Sequence, residues 1–149
     1  MGVELCLALE KEIPEARFDG DGYALAACLG TLEKIAKEKG LVPLLSSFIY
    51  DDSAASALPE GQVLHETYYD AQDGLRTVIG LISALEAPDK RAWKRVDRGG
   101  ILTPLWRLLG IKSGLDGKWA ETVLAALKDM RRCLEIAVKH QARFYLFCF

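Results

Sequence analysis

The sequence predicts an α+β fold in which strands at both ends of the 149-residue chain share one small sheet. Large apolar residues occupy every second position of residues 3–9, which is the period of a strand. Residues 143–149 are again rich in aromatic and apolar side chains, as strands are. Three stretches between them repeat apolar residues at helical spacing. We therefore expect a single domain over residues 1–149, with three main helices and one or two short ones packed on the sheet.

The boundaries of the main helices follow from their capping residues. Asp21 is the expected N-cap of the first helix, and Gly40 ends it because glycine accepts the backbone angles of a helix terminus. Asp70 is the expected N-cap of the second helix, which Pro88 ends because proline cannot continue a helix. The predicted spans are residues 23–39, 71–86 and 118–140.

The remaining segments have weaker patterns. Residues 43–50 fit either a short helix or a strand, and residues 62–69 have β-forming side chains without a clean period. Residues 51–61 are small, polar and interrupted by proline and glycine, which indicates an exposed loop. Residues 90–100 are basic and end in two glycines, so we expect a mobile excursion there. A threonine–proline pair opens the short helix predicted over residues 103–109.

The final strand is apolar on both of its faces. Phe144, Leu146 and Cys148 fall on one side of it, and Tyr145, Phe147 and Phe149 fall on the other. Such a strand belongs in a sheet that is covered on both sides, or beside a subunit interface. We expect the two terminal strands to lie in the same sheet, as neighbours.

Charge is distributed unevenly along the chain. The net charge is −2, but residues 1–87 hold 6 basic and 15 acidic side chains, whereas residues 88–149 hold 13 basic and 6 acidic ones. Either the two halves fold onto each other and partly cancel, or the second half presents a basic patch to a phosphate or an acidic partner. The candidate residues of such a patch are Lys90, Arg91, Trp93, Lys94, Arg95 and Arg98.

The four cysteines are predicted to pack in the core. They are widely spaced, whereas zinc sites draw ligands from close pairs such as C-x-x-C. Each lies in an apolar stretch, where a free cysteine behaves as a small hydrophobic residue. The four are Cys6, Cys28, Cys133 and Cys148.

Motifs for known chemistry are missing from the sequence. His65 and Glu66 begin like a zinc-protease helix, but Tyr69 stands where the second histidine is required. No phosphate-binding glycine loop or nucleophile elbow is present, so we predict no catalytic residues, no metal and no cofactor. An acidic, aromatic-edged pocket would form if Tyr50 and Asp51 met His65, Glu66 and Tyr69 in the fold. Otherwise Asp70 is only a helix cap, Tyr68 or Tyr69 fills the core, and the acids are solvated.

Parts of the chain resemble small bacterial proteins of uncharacterised families. Three stretches carry the resemblance: residues 68–75 (YYDAQDGL), 127–137 (LKDMRRCLEIA) and 143–146 (RFYL). The resemblance as a whole covers about half of the chain. In those proteins a long helix also runs into a final strand. The resemblance implies a small bacterial protein, and no catalytic residues.

These observations favour a non-enzymatic interaction protein, of the immunity or adaptor type, that binds another protein through charged patches. The alternative is a small-molecule binder or an enzyme with a pocket around His65, Glu66 and Tyr69. Self-association is compatible with both hypotheses. Nucleic acid is disfavoured because neither a basic total charge nor a recognisable module is present. No apolar run approaches the ~20 residues that span a bilayer, and residues 1–9 lack the basic flank of a secretory signal, so we expect a cytoplasmic protein without a membrane partner.

Overall fold

A computed structural model describes residues 4–48, 68–98 and 118–148. Within these ranges the fold is α+β, as the sequence predicts, with a two-stranded sheet, three long helices and two short ones. The elements are β1 (Leu5–Leu9), a 3₁₀ turn (Pro14–Ala16), α1 (Gly22–Glu38), α2 (Leu44–Phe48), α3 (Ala71–Leu85), α4 (Arg91–Arg98), α5 (Lys118–Lys139) and β2 (Phe144–Cys148). The predicted loop over residues 51–61 and the short helix over residues 103–109 lie outside the described residues.

The sheet joins the first and last strands as antiparallel neighbours, which confirms that prediction. Its register runs from Leu5 opposite Cys148 to Leu9 opposite Phe144. The Glu10 N–H extends the ladder by donating to the Arg143 carbonyl at 3.0 Å. On the other edge of β2, Tyr69 and Phe144 exchange two backbone hydrogen bonds, of 2.7 and 3.0 Å. Residues far apart in sequence therefore meet around Phe144.

The two faces of β2 differ in burial. Phe144 and Leu146 are almost completely buried against the helices. Tyr145 and Phe147 point to the opposite face and are only half-buried. We expected both faces of the sheet to be covered. Within the described part of the chain, the helices cover only the face of Phe144 and Leu146.

Helices α1, α3 and α5 place their apolar stripes in one core, with the closest association between α3 and α5. Asp21 Oδ1 accepts from the Ala24 N–H at 2.9 Å, and Asp70 Oδ1 accepts from the Gln72 N–H at 2.8 Å, so both predicted N-caps are confirmed. Gly40 follows α1 with φ of +71°, the left-handed conformation that glycine adopts without strain. In the described ranges, no helix has the length and apolar composition needed to cross a membrane.

The ambiguous segment at residues 43–50 contains the short helix α2. Leu44 and Phe48 are both buried, with 2% and 4% of their surface exposed. A spacing of four places two side chains on the same face of a helix, and one apolar pair therefore anchors this single turn.

The mobile excursion expected over residues 90–100 is wrong for most of that segment, because residues 91–98 form helix α4. Ala92 and Val96 are buried four residues apart and attach one face of the helix to the core. The Asp89 carboxylate accepts from the Arg91 N–H at 3.0 Å and satisfies a donor at the start of the helix. Two small apolar positions therefore anchor a helix whose other residues are mostly charged.

Candidate functional site

Helix α4 presents basic side chains on the face opposite to its buried residues. Arg91, Lys94 and Arg98 are spaced by three and four residues, which places them together on the outer side of the helix. The side chains in this group are exposed, and we call them the basic surface: Lys90, Arg91, Lys94 and Arg98. These positions match four of the sequence-predicted patch residues.

The helix that carries the basic surface is held at several points. The Val96 side chain is completely buried, and its carbonyl lies 3.7 Å from the Cys28 sulfur. Asp97 Oδ1 accepts from the Ala120 N–H at 3.3 Å, in the first turn of α5. Because Asp97 satisfies a donor at that helix terminus, this carboxylate has a structural partner. The packing and the hydrogen bond fix the direction in which the basic surface faces.

Arg95 differs from the other predicted patch residues, because its charge is already paired. Its Nη1 lies 2.6 Å from Glu38 Oε2, and the two side chains are 38% and 59% exposed. The hydrogen bond from Arg95 is the main reason that the pKa of Glu38 lies below its ordinary value. This ion pair links α4 to the end of α1, so Arg95 positions the helix rather than adding a free charge.

The four cations of the basic surface have no carboxylate at ion-pair distance among the described residues. In contrast, most of the arginines on the other helices are paired locally, as Arg131 is with Glu135 at 2.8 Å. Cations that are exposed, close together and without a partner create a positive potential at the surface. The second half of the chain therefore does present a basic surface, in spite of the acidic first half.

Lys34 is a further exposed cation, on the side of α1 that pairs with α4, and the sequence patterns do not predict this placement. It is exposed and lies one helical turn before Glu38, on the same side of α1. The Arg95–Glu38 ion pair brings that side of α1 next to α4. Nothing in the local sequence indicates this proximity, because it arises from the packing of two helices that are about fifty residues apart.

Trp93 is the aromatic member of the predicted patch. It is half-buried and packs against the hydrophobic core at the boundary of the basic surface. Its main role in the described structure is therefore packing, which leaves part of the indole accessible beside the charged face.

Only one of the five residues of the predicted acidic and aromatic pocket, Tyr69, lies within the described residues. Tyr50, Asp51, His65 and Glu66 lie outside the described residues. Tyr69 is half-buried, and its ring meets the ring of Phe48 edge-on with the centroids 5.6 Å apart. Together with its backbone pairing, this contact gives Tyr69 a role in packing.

The cysteines divide into two groups. Cys28 and Cys133 are completely buried, as predicted, and burial raises the pKa of each thiol to about 11. Cys6 is half-buried, and Cys148 is exposed, so the prediction of core packing is wrong for Cys148. Cys148 shares a face of β2 with the buried Phe144 and Leu146 but lies at the end of the strand. The apolar pattern predicts which face a side chain is on, but it does not predict whether the helices cover the end of the strand. Among the described residues, no group of three side chains is arranged to bind a metal ion.

We expect iodoacetamide at pH 8 to label Cys148 first and Cys6 more slowly. Cys28 and Cys133 are expected to remain unlabelled until the protein unfolds, because they are inaccessible and because their raised pKa keeps them as neutral thiols. Mass spectrometry of peptides from a labelling time course measures this order. Early labelling of Cys28 or Cys133 in the folded protein would contradict the core described above.

No protein-family model, curated protein or solved structure matches this chain. The resemblance to uncharacterised bacterial families therefore stays a prediction.

Proposed function

We propose that this protein is a non-enzymatic interaction protein that binds an acidic surface of another protein through the basic surface of α4. The observation that carries the proposal is the group of four exposed cations without carboxylate partners among the described residues. Around them the helix is fixed by the burial of Val96 and by the Arg95–Glu38 ion pair. A rigid helix holds the charges in position before a partner arrives, which lowers the ordering cost of binding.

Several features favour a protein as the partner. Arginine and tryptophan are enriched in protein interfaces, and the partly accessible Trp93 lies at the edge of the charged face. The net charge of −2 means that the rest of the molecule is acidic and would repel a long polyanion such as nucleic acid. A compact acidic patch on a partner protein would contact only the basic surface and would avoid this repulsion. For the alternative, a small-molecule or enzymatic site around Tyr69, no observation on the described residues adds support.

The test compares three immobilised baits in lysate from the source organism: the wild type, R91E/K94E, and the control R76E/R131E. Both variants reverse two arginine or lysine charges, so their net charges are equal. Arg91 and Lys94 belong to the basic surface, whereas Arg76 lies on α3 and Arg131 lies three turns along α5 from the contact with Asp97. Arg95 is left in place, since its ion pair with Glu38 joins α4 to α1. The exposed ion pairs that the control removes, Arg76 with Asp73 and Arg131 with Glu135, each join two residues of one helix, so their loss is expected to leave the position of that helix unchanged.

We expect one protein to be retained stoichiometrically by the wild type and by R76E/R131E, in nuclease-treated lysate at low salt. Retention by R91E/K94E should fall about tenfold or more, and higher salt should weaken the wild-type interaction, because exposed charges are screened. Quantitative mass spectrometry measures the retained proteins. Equal retention by all three folded baits, or no retained protein at all, would contradict the proposal.

A further inference from the structure

A second feature of the molecule is the edge of β1 that faces away from β2. The Glu10 N–H bonds to the Arg143 carbonyl, and residues in an antiparallel pair alternate between facing the partner strand and facing away. Ala8 and Cys6 therefore face β2, while the backbone N–H and C=O groups of Leu7 and Leu9 point outward. Within the described part of the chain, these outward groups have no hydrogen-bond partner.

An open groove of about 530 Å³ runs beside this edge. Its floor includes Leu7 and Leu9 of β1, and its far wall is formed by residues 11–18. Apolar residues from the wall and from both faces of the sheet line it: Cys6, Leu7, Leu9, Ile13, Ala16, Phe18 and Phe147. Three charged residues of the wall also line it: Lys11, Glu12 and Arg17. An extended peptide lying along the strand edge would therefore contact apolar side chains on both of its faces.

The wall of the groove is held in place from α5. The Arg132 guanidinium donates to the carbonyl of Glu15 and, at 2.7 Å, to that of Arg17. Asp129 orients the same guanidinium through an ion pair of 2.8 Å and also accepts from the Asp19 N–H at 2.7 Å. Since these bonds fix the backbone of the wall, the groove exists before anything binds to it.

We infer that the outer edge of β1 binds an extended segment of another polypeptide as a third strand of the sheet. Outward N–H and C=O groups at strand spacing are complementary to an extended main chain, and the apolar lining selects apolar side chains on both faces of that segment. The strand itself reads LCLAL, without the lysine, proline or inward-pointing charge that blocks pairing at many strand edges, and the charged residues of the groove belong to the wall. The occupant is a separate extended segment, because a second copy of this chain would bring its own residues 11–18 to the same edge.

The probe for this site is a displayed library of random linear dodecapeptides, selected on the wild-type protein. Enriched peptides are then made synthetically, and hydrogen exchange of the protein is followed by NMR with and without saturating peptide. We expect the Leu7 and Leu9 amides to exchange about tenfold more slowly, or slower still, when peptide is bound. The Ala8 amide, which already bonds to β2, should change little.

Two truncations of apolar side chains give a matched comparison. Phe18→Ala removes a ring from the groove and is expected to weaken peptide binding about tenfold. Ile79→Ala truncates a partly exposed side chain of α3 and should change the affinity by about twofold or less. The R91E/K94E variant should bind the peptide as the wild type does, so this site is tested separately from the basic surface of α4.

Three results would overturn the inference. The first is that no peptide is enriched above an unrelated bait. The second is that enriched peptides bind but leave the exchange of the Leu7 and Leu9 amides unchanged. The third is that these two amides are already protected without peptide, in a manner that depends on protein concentration, which would assign the edge to a second copy of the chain. The exchange measurement uses only the wild type, so it decides the question even if Phe18→Ala does not fold.

Discussion

Replacing Phe144 with alanine is expected to lower the free energy of unfolding by about 3–5 kcal/mol. The side chain is 1% exposed and lies where β2, α2, α3 and residue 69 meet. Its ring centroid is 5.3 Å from that of Phe48 and 6.5 Å from that of Tyr69. The backbone bonds to Tyr69 would remain in the variant, so the loss comes from the cavity and from the missing ring contacts.

Phe147→Ala is the matched control, since it removes the same ring from the same strand on the opposite, half-buried face. The smaller area taken from water at this position predicts a loss of about half that at Phe144 or less. Urea denaturation followed by circular dichroism measures both variants. Equal losses would contradict the assignment of the buried and half-buried faces of the sheet.

Gly74→Ala is expected to lower the free energy of unfolding by about 1–3 kcal/mol. A Cβ at this position of α3 would overlap the ring of Phe144, which has no free space because it is buried. Alanine is a better helix former than glycine by about 1 kcal/mol, but the overlap outweighs that gain. Gly74 therefore sets the distance between α3 and β2.

Gly30→Ala provides the opposite expectation on another helix. A Cβ at this exposed position of α1 meets no atom within 4 Å, so only the backbone effect remains. We expect stabilisation by about 0.5–1 kcal/mol. Thermal and urea denaturation of both variants measure the difference in sign. If Gly74→Ala stabilised the protein as much as Gly30→Ala does, the close approach of Phe144 to α3 would be incorrect.

The elements that the sequence predicts correctly have strong local signals. Alternation at residues 3–9 indicates β1, and the caps at Asp21 and Asp70 place the starts of α1 and α3 to within one residue. The apolar residues of these helices repeat at spacings of three and four over many residues, which excludes the two-residue period of a strand. Local patterns of this kind are sufficient for the fold class, because both terminal strands and all three long helices carry them.

Helix α4 could not be predicted in the same way. Only Ala92 and Val96 are buried in its eight residues, and so short a stripe is hard to separate from a charged loop. Its stability comes from tertiary contacts, including the Arg95–Glu38 ion pair. The charge of the candidate site was therefore visible in the sequence, whereas its helical form and the pairing of Arg95 depended on the packing of distant residues.

The sequence also does not show that the outer edge of β1 lacks a neighbouring strand among the described residues. Alternation identifies a strand and its two faces, but the edge that stays open depends on the order of strands in the sheet. The groove further requires the contacts of Arg132 with the backbone of residues 15 and 17. An arginine on a long amphipathic helix gives no local indication that it holds a distant segment.

The most direct test of the basic surface is the association rate of the captured protein partner, measured by stopped-flow fluorescence at several ionic strengths. We expect R91E/K94E to reduce this rate about tenfold at low salt and to flatten its salt dependence, with a smaller change in the dissociation rate. The control R76E/R131E should behave much more like the wild type. Equal association rates and equal salt dependence in the wild type and R91E/K94E would contradict the role of α4 in partner binding.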